Sequence, residues 1–323
     1  PFIFSQQLQI WMLIVFTFLM SIPGAVIAVG FNELFAQSVP ARYRGLIAGR
    51  RNAAFAITSI VTAIISGRIL SVVSFPINYQ IVFLIGFIGA MMSILHLRKV
   101  KPLEDKEEII STDGSRTGSI IIEEEEQASK SFFSKFKKMI HFEALRSPFS
   151  RSLGLLTFYH FAHYLAIPIF PIFTVNVLKL PDSVLSLGNA LFYVSMLVGS
   201  AQISKLTFKI GNKNLTGIGI CMLAIYPSLL SIANGAALYC LASLIGGFAW
   251  LLVNAAMINY LLEKAPVKDR TGYLAWFSIG SNSAILAGTL IGPVIGNHIG
   301  LAVTLMIFAG LRLTAGIALL KWG

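Results

Sequence analysis

Apolar runs of about twenty residues recur from one end of this chain to the other, separated by short polar turns. Wound as a helix, a run of that length crosses a hydrocarbon layer of about 30 Å. Within such a layer every backbone N–H and C=O must be satisfied internally, which leaves helices or closed barrels. A barrel would show shorter segments of alternating polarity, whereas these runs are continuous. The pattern predicts an all-α membrane protein with about nine transmembrane helices, at 11–37, 45–70, 78–97, 150–176, 182–205, 213–233, 236–262, 273–296 and 299–321. Apolar residues make up 56% of the 323 and charged residues 12%, about half the charge of a soluble domain. A soluble surface could not be covered with so little charge.

The formal net charge of +11 raises nucleic acid as a partner, but the placement of the charge points to lipid instead. When alternate loops are assigned to one face, all but three of the 25 Lys and Arg fall there, the exceptions being Arg68, Lys179 and Arg312. By the positive-inside rule those loops and the C-terminus are cytoplasmic. The expectation is therefore an integral protein of the plasma membrane with lipid, and no nucleic acid, around it. Cys221 and Cys240 lie in or beside apolar segments and imply no disulfide framework. No phosphate-cradling glycine loop, nucleophile elbow, paired catalytic carboxylates or metal-ligand set occurs, so no enzyme, cofactor or metal is expected.

The stretch 98–149 is the one candidate linker. Its middle combines Ser111 to Ser115 with the acidic run Glu123 to Glu126, a composition that favours disorder. Its end, Phe132 to Phe142, alternates Phe, Met and Ile with Lys and reads as a basic amphipathic helix at the headgroups or as a solvated linker helix.

The loop after the first run reads Val39-Pro40-Ala41-Arg42-Tyr43-Arg44-Gly45, and that after the seventh Ala265-Pro266-Val267-Lys268-Asp269-Arg270-Thr271-Gly272. Each has Pro, a basic residue two later, Arg two after that, then Gly within two residues. The same offset aligns the runs on either side, as in transporters built from repeats. Pro40-x-Arg42-x-Arg44-Gly45-x-x-x-Gly49-Arg50-Arg51-Asn52, with the long polar loop and the repeated half, resembles the major facilitator superfamily. That resemblance implies two six-helix bundles joined by a cytoplasmic loop. Residues 1–97 would then be a partial N-terminal bundle (helices four to six), 98–149 the loop between bundles, and 150–323 the C-terminal bundle (helices seven to twelve). Starting at Pro1 without an initiator Met, the chain reads as a fragment showing about nine of an expected twelve helices.

Two places bear on how close the resemblance is. Phe208-Lys209-Ile210-Gly211-Asn212-Lys213 matches the family's loop between helices eight and nine in its basic residues and Gly, but has Phe208 where the family has Asp. Gly280, Gly288, Gly292-Pro293 and Gly296 resemble the glycine-rich antiporter motif, in helix eleven instead of helix five. At the matching place in helix five, Ser66-Gly67-Arg68 has no Gly-Pro pair.

Several residues are candidates for chemistry. Gly288, Gly292 and Gly296 have the small-residue spacing of close helix packing, and Pro293 removes a backbone hydrogen bond. Tyr159, His160, His163 and Tyr164 cluster in helix seven, followed by Pro168 and Pro171. Three residues apart, the two histidines share a helix face and would serve either a proton pathway or a hydrogen-bonded packing patch. Asn189 and Tyr193 in helix eight, and Trp250 and Asn254 in helix ten with Asn259 beyond, would line a solute cavity or join helices by hydrogen bonds. Arg68 would face a cavity or snorkel to the headgroups. Arg312 lies near the middle of the last run and, since helix twelve is peripheral in the family, has no evident role. Glu33, together with Arg42, Arg44, Arg50, Arg51, Lys268 and Arg270, would form cytoplasmic gating contacts, as the resemblance implies.

The sequence thus predicts a monomeric secondary transporter that moves a small solute by alternating access, with or without a coupled proton. The alternative is a transporter-like sensor that binds solute without moving it.

Overall fold

The computed structural model describes residues 7–8, 10–21, 23, 41–99, 149–266 and 270–323; at 41–49, 52, 270 and 271 it describes the backbone alone. Among the described residues all regular structure is helical. In chain order the elements are α1 (Ile10–Ser21), α2 (Ala41–Val72), α3 (Ile77–Leu97), α4 (Phe149–Ala166), α5 (Ile169–Ile172), a π-turn (Phe173–Val177), α6 (Asp182–Ser200), α7 (Ile203–Leu223), α8 (Ile225–Ser231), α9 (Ala236–Lys264), α10 (Arg270–Ile299) and α11 (Leu301–Trp322). Eight helical stretches among these residues are long and apolar enough to cross a membrane, and α1 is a shorter apolar helix.

The predicted runs and the helices coincide except at breaks. The first run, 11–37, is described as helix over Ile10–Ser21, and the rest of it, Pro23 apart, lies outside the described residues. Helix α2 starts at Ala41, ahead of the predicted 45, so Arg42 and Arg44 lie in its first turns. Helix α10 likewise starts at Arg270. The arginines read as loop residues in both repeats are therefore helical, which suits a residue of high helix propensity. The sixth run extends back to Ile203, through 206–212 where a loop was expected, because the chain is helical on both sides of Gly211. Gly211 itself adopts φ 78° and ψ 161°, a conformation that favours glycine and replaces the loop with a kink. Helix α10 runs through Pro293.

The described residues fall into two units, those among 1–52 and 83–115, and those among 53–82 and 116–323. In the first, α1 and the later part of α3 present exposed apolar side chains such as Trp11, Phe16, Phe83 and Phe87. In a membrane such surface faces lipid.

In the second unit α10 packs on α4, α9 on α6, α7 and α8, and α11 on α4, α7 and α8. Small residues set the close approaches. A Cβ at Gly292 would collide with the Leu165 carbonyl, and one at Gly288 would lie 2.9 Å from the Phe161 carbonyl. Gly316 meets Gly217 in the same way, 3.0 Å from its carbonyl oxygen, between α11 and α7.

Two apolar clusters result. One gathers Phe149, Leu156, Tyr159, Met257, Tyr260, Tyr273, Phe277 and Leu319. The other gathers Leu165, Ile169, Phe173, Leu230, Tyr239, Leu305 and Phe308. On α4, His163 falls between Tyr159 of the first and Leu165 of the second. On α11, Arg312 falls between Phe308 and Leu319. A polar layer thus divides the core.

Two helix breaks lie in that layer. Pro168, which has no N–H to donate, separates α4 from α5, and the chain then passes through a π-turn, where the N–H of Leu178 reaches the carbonyl of Phe173 at 3.0 Å. Pro227 is the third residue of α8, a new helix that starts at Ile225. In both places carbonyls lose their helical donors and need others.

Candidate functional site

Arg312 donates to the main chain at both breaks. Its side chain is 1% exposed. Nη1 donates to the carbonyl of Leu223 at 3.2 Å, and Nη2 donates to that of His163 at 2.7 Å. Leu223 stands four residues before Pro227, so no helical N–H can reach its carbonyl. His163 is in the last turn of α4, next to Tyr164, whose carbonyl lies four residues before Pro168. The guanidinium thereby ties α11 to the breaks in two other spans. Its Cζ lies 5.4 Å from the centre of the Phe170 ring, within cation–π range.

Beside it is a cavity of about 310 Å³ lined by residues of α4, α5, α6, α7, α8, α9 and α11. His163 forms one wall, stacked on Trp250 with ring centres 5.3 Å apart and planes 17° apart. Tyr164 meets the His163 ring edge-on at 5.3 Å. Phe170 and Tyr226, 4.7 Å apart, form another wall, and Phe192 and Gly246 contribute to the rest. A Cβ at Gly246 would meet the Tyr226 ring at 2.7 Å, so glycine gives that tyrosine its room. The lining is chiefly apolar and aromatic with a few polar groups, as in small-molecule sites.

The sequence candidates fall in several places. His163, Tyr164 and Trp250 line the cavity. Tyr159 is buried just behind, 5.6 Å from the His163 ring, and His160 commits Nδ1 to the carbonyl of Leu156 at 2.8 Å. Asn189 and Tyr193 line a different groove of about 480 Å³ with Phe55, Thr58, Thr62 and Ser186. There the rings of Tyr193 and Phe55 meet edge-on at 5.7 Å.

Asn254 and Asn259 are exposed, each with its amide folded back onto its own helix, at Trp250 and Ala255. Arg68, Arg50 and Arg51 are exposed as well. Glu33 and Lys268 lie outside the described residues, and Arg42, Arg44 and Arg270 are described by backbone alone. Gly288 and Gly292 pack on the backbone of α4, and Gly296 lies against Leu301 and Ile169. Pro293 is part of the same helix as these glycines.

Sequence reading passed over Arg312, Phe170 and Tyr226 as cavity residues. One signal was present: an arginine in mid-span is costly and needs a partner, and an in-span proline four residues after Leu223 frees an acceptor. It also passed over two polar links. Asn212 Nδ2 donates to Glu263 Oε1 at 2.6 Å, joining the kink of α7 to the end of α9. The Tyr79 hydroxyl donates to Asp182 Oδ2 at 3.3 Å, joining α3 to the start of α6.

No individual curated protein matches the chain. The family model of the Major Facilitator Superfamily matches it twice, over residues 1–153 and 152–323. Together with the helical, membrane-crossing architecture, this match over the whole length places the chain in the Major Facilitator Superfamily, a family of membrane transporters.

Proposed function

We propose that the protein is a secondary transporter that carries a small solute by alternating access, with the cavity beside Arg312 as its solute site. The observation that carries this reading is the convergence of seven helical elements on one aromatic cavity with a buried cation in its wall. A cavity of about 310 Å³ is at the small end of ligand pockets, which run from about 300 to 1,000 Å³.

Residues 1–97 and 150–323 act as the two bundles, with 98–149 as the loop between them. The basic loops, that long loop and the C-terminus face the cytoplasm of the plasma membrane. Rocking of the bundles exposes the cavity to each side in turn. Glu33, Arg42, Arg44, Arg50, Arg51, Lys268 and Arg270 form and break gating contacts at the cytoplasmic face. His163, which lines the cavity, carries the coupling proton, and the protein works as a monomer.

Counterflow tests this reading. Proteoliposomes of the full-length protein are preloaded with an unlabelled solute and given the same solute in radiolabelled form outside, across a panel of small solutes. Transient accumulation of label for at least one solute is expected, and its loss in a variant that fills the cavity. Saturable binding with no accumulation for any solute bound would mark a sensor instead.

A further inference from the structure

We infer that the cavity beside Arg312 binds a small monoanion with an aromatic or apolar body, held through its carboxylate by the Arg312 guanidinium. The inference rests on the reading of this cavity as the solute site and adds the class of solute. Its starting point is charge. Among the described residues the acidic side chains are Asp182 and Glu263. Asp182, at the start of α6, accepts from Tyr79, and Glu263, at the end of α9, accepts from Asn212. Neither bonds to Arg312, which lies in the middle of α11. An intramembrane charge ordinarily pairs with an opposite one or faces a cavity.

A guanidinium has five N–H donors. Two are taken by the Leu223 and His163 carbonyls, which are neutral acceptors. Nε is buried and has no hydrogen-bond partner among the described residues. The fork formed by Nε and an Nη fits a carboxylate through two parallel hydrogen bonds, the geometry for which arginine is suited above lysine. One cation balances one negative charge, so the mostly apolar walls favour a monoanion over a dianion. The stacked His163–Trp250 pair, with Tyr164, Phe170 and Tyr226, offers faces and edges to a planar apolar body.

The test uses full-length protein in lipid nanodiscs, with benzoate as the probe and benzamide as its neutral counterpart of equal shape. Benzoate is expected to bind saturably and about thirtyfold or more tighter than benzamide, the loss typical of leaving a buried charge without its partner. Arg312→Gln should weaken benzoate by a similar factor and leave benzamide nearly unchanged. Ile167→Trp, which fills the cavity without touching the carbonyl bonds of Arg312, should abolish binding, and it serves where Arg312→Gln does not fold. Equal affinity for benzoate and benzamide, or benzoate binding that survives Ile167→Trp, overturns the inference. Counterflow separates this from the transport reading. Benzoate that binds with the stated preference but is not exchanged supports the anion site and sinks transport. Exchange of neutral solutes with no preference for benzoate sinks the anion class and leaves transport standing.

Discussion

Arg312 on α11 donates Nη1 to the carbonyl of Leu223 at the end of α7, the acceptor that Pro227 deprives of its helical partner. An arginine in the middle of one span thus repairs the backbone of another. The pairing is specific enough to be tested as a coupling. Pro227→Ala restores an N–H four residues after Leu223, so the carbonyl no longer depends on Arg312. Arg312→Gln alone should cost about 2–4 kcal/mol by stranding buried acceptors. Combined with Pro227→Ala it should cost about 1 kcal/mol less than the sum of the single changes. Thermal unfolding of the four proteins in one detergent measures the cycle, and strict additivity would refute the link.

Glycines on α10 make a second prediction. Gly292→Leu drives a side chain into the carbonyl of Leu165 and should separate α10 from α4, at a cost of about 3 kcal/mol or more. Gly310, where an added Cβ meets nothing within 4 Å, should accept Ala with a change of about 0.5 kcal/mol or less. Melting temperatures in detergent compare the two.

Trp250 and Asn254, one turn apart on α9, should differ in function. Trp250→Ala removes the surface on which His163 stacks and should reduce solute exchange about tenfold or more. Asn254→Ala removes an exposed side chain bonded to its own helix and should leave exchange within about twofold of the parent. Initial rates in proteoliposomes report both.

The two histidines should also part. His163 lines the cavity, while His160 has committed Nδ1 to Leu156. With His163 as carrier of the coupling proton, exchange should vary with pH in the parent. His163→Gln should flatten that profile, and His160→Gln should keep its shape. A profile unchanged by His163→Gln removes the proton role.

The spans were legible in the sequence because a 20-residue apolar run leaves the backbone little choice. The family was legible in Pro40 to Asn52 and its echo at Pro266 to Gly272. The cavity was legible in part. Tyr164, His163 and Trp250 stood out as polar or aromatic residues in apolar runs, and three residues of spacing placed both histidines on one face. Asn254 fits the same pattern yet points outward, since a one-turn offset says which residues share a face and not which face is inside. Arg312 was the larger omission. Its partners, Leu223 and His163, are separated from it by 89 and 149 residues and contribute carbonyls, which any residue type possesses. A side-chain pattern cannot reveal a bond to the main chain. At Leu223, proline four residues downstream is the trace such a bond leaves.

Alternating access to the cavity is tested most directly by labelling it from each side of the membrane. Tyr164→Cys, in a full-length background with Cys221 and Cys240 replaced by Ser, places one thiol in the cavity wall. A membrane-impermeant thiol reagent is then applied to right-side-out and to inside-out vesicles. The transport reading predicts labelling from both faces, slowed from both by a solute that occupies the cavity. Labelling from one face alone, under every condition of solute and pH, would contradict it.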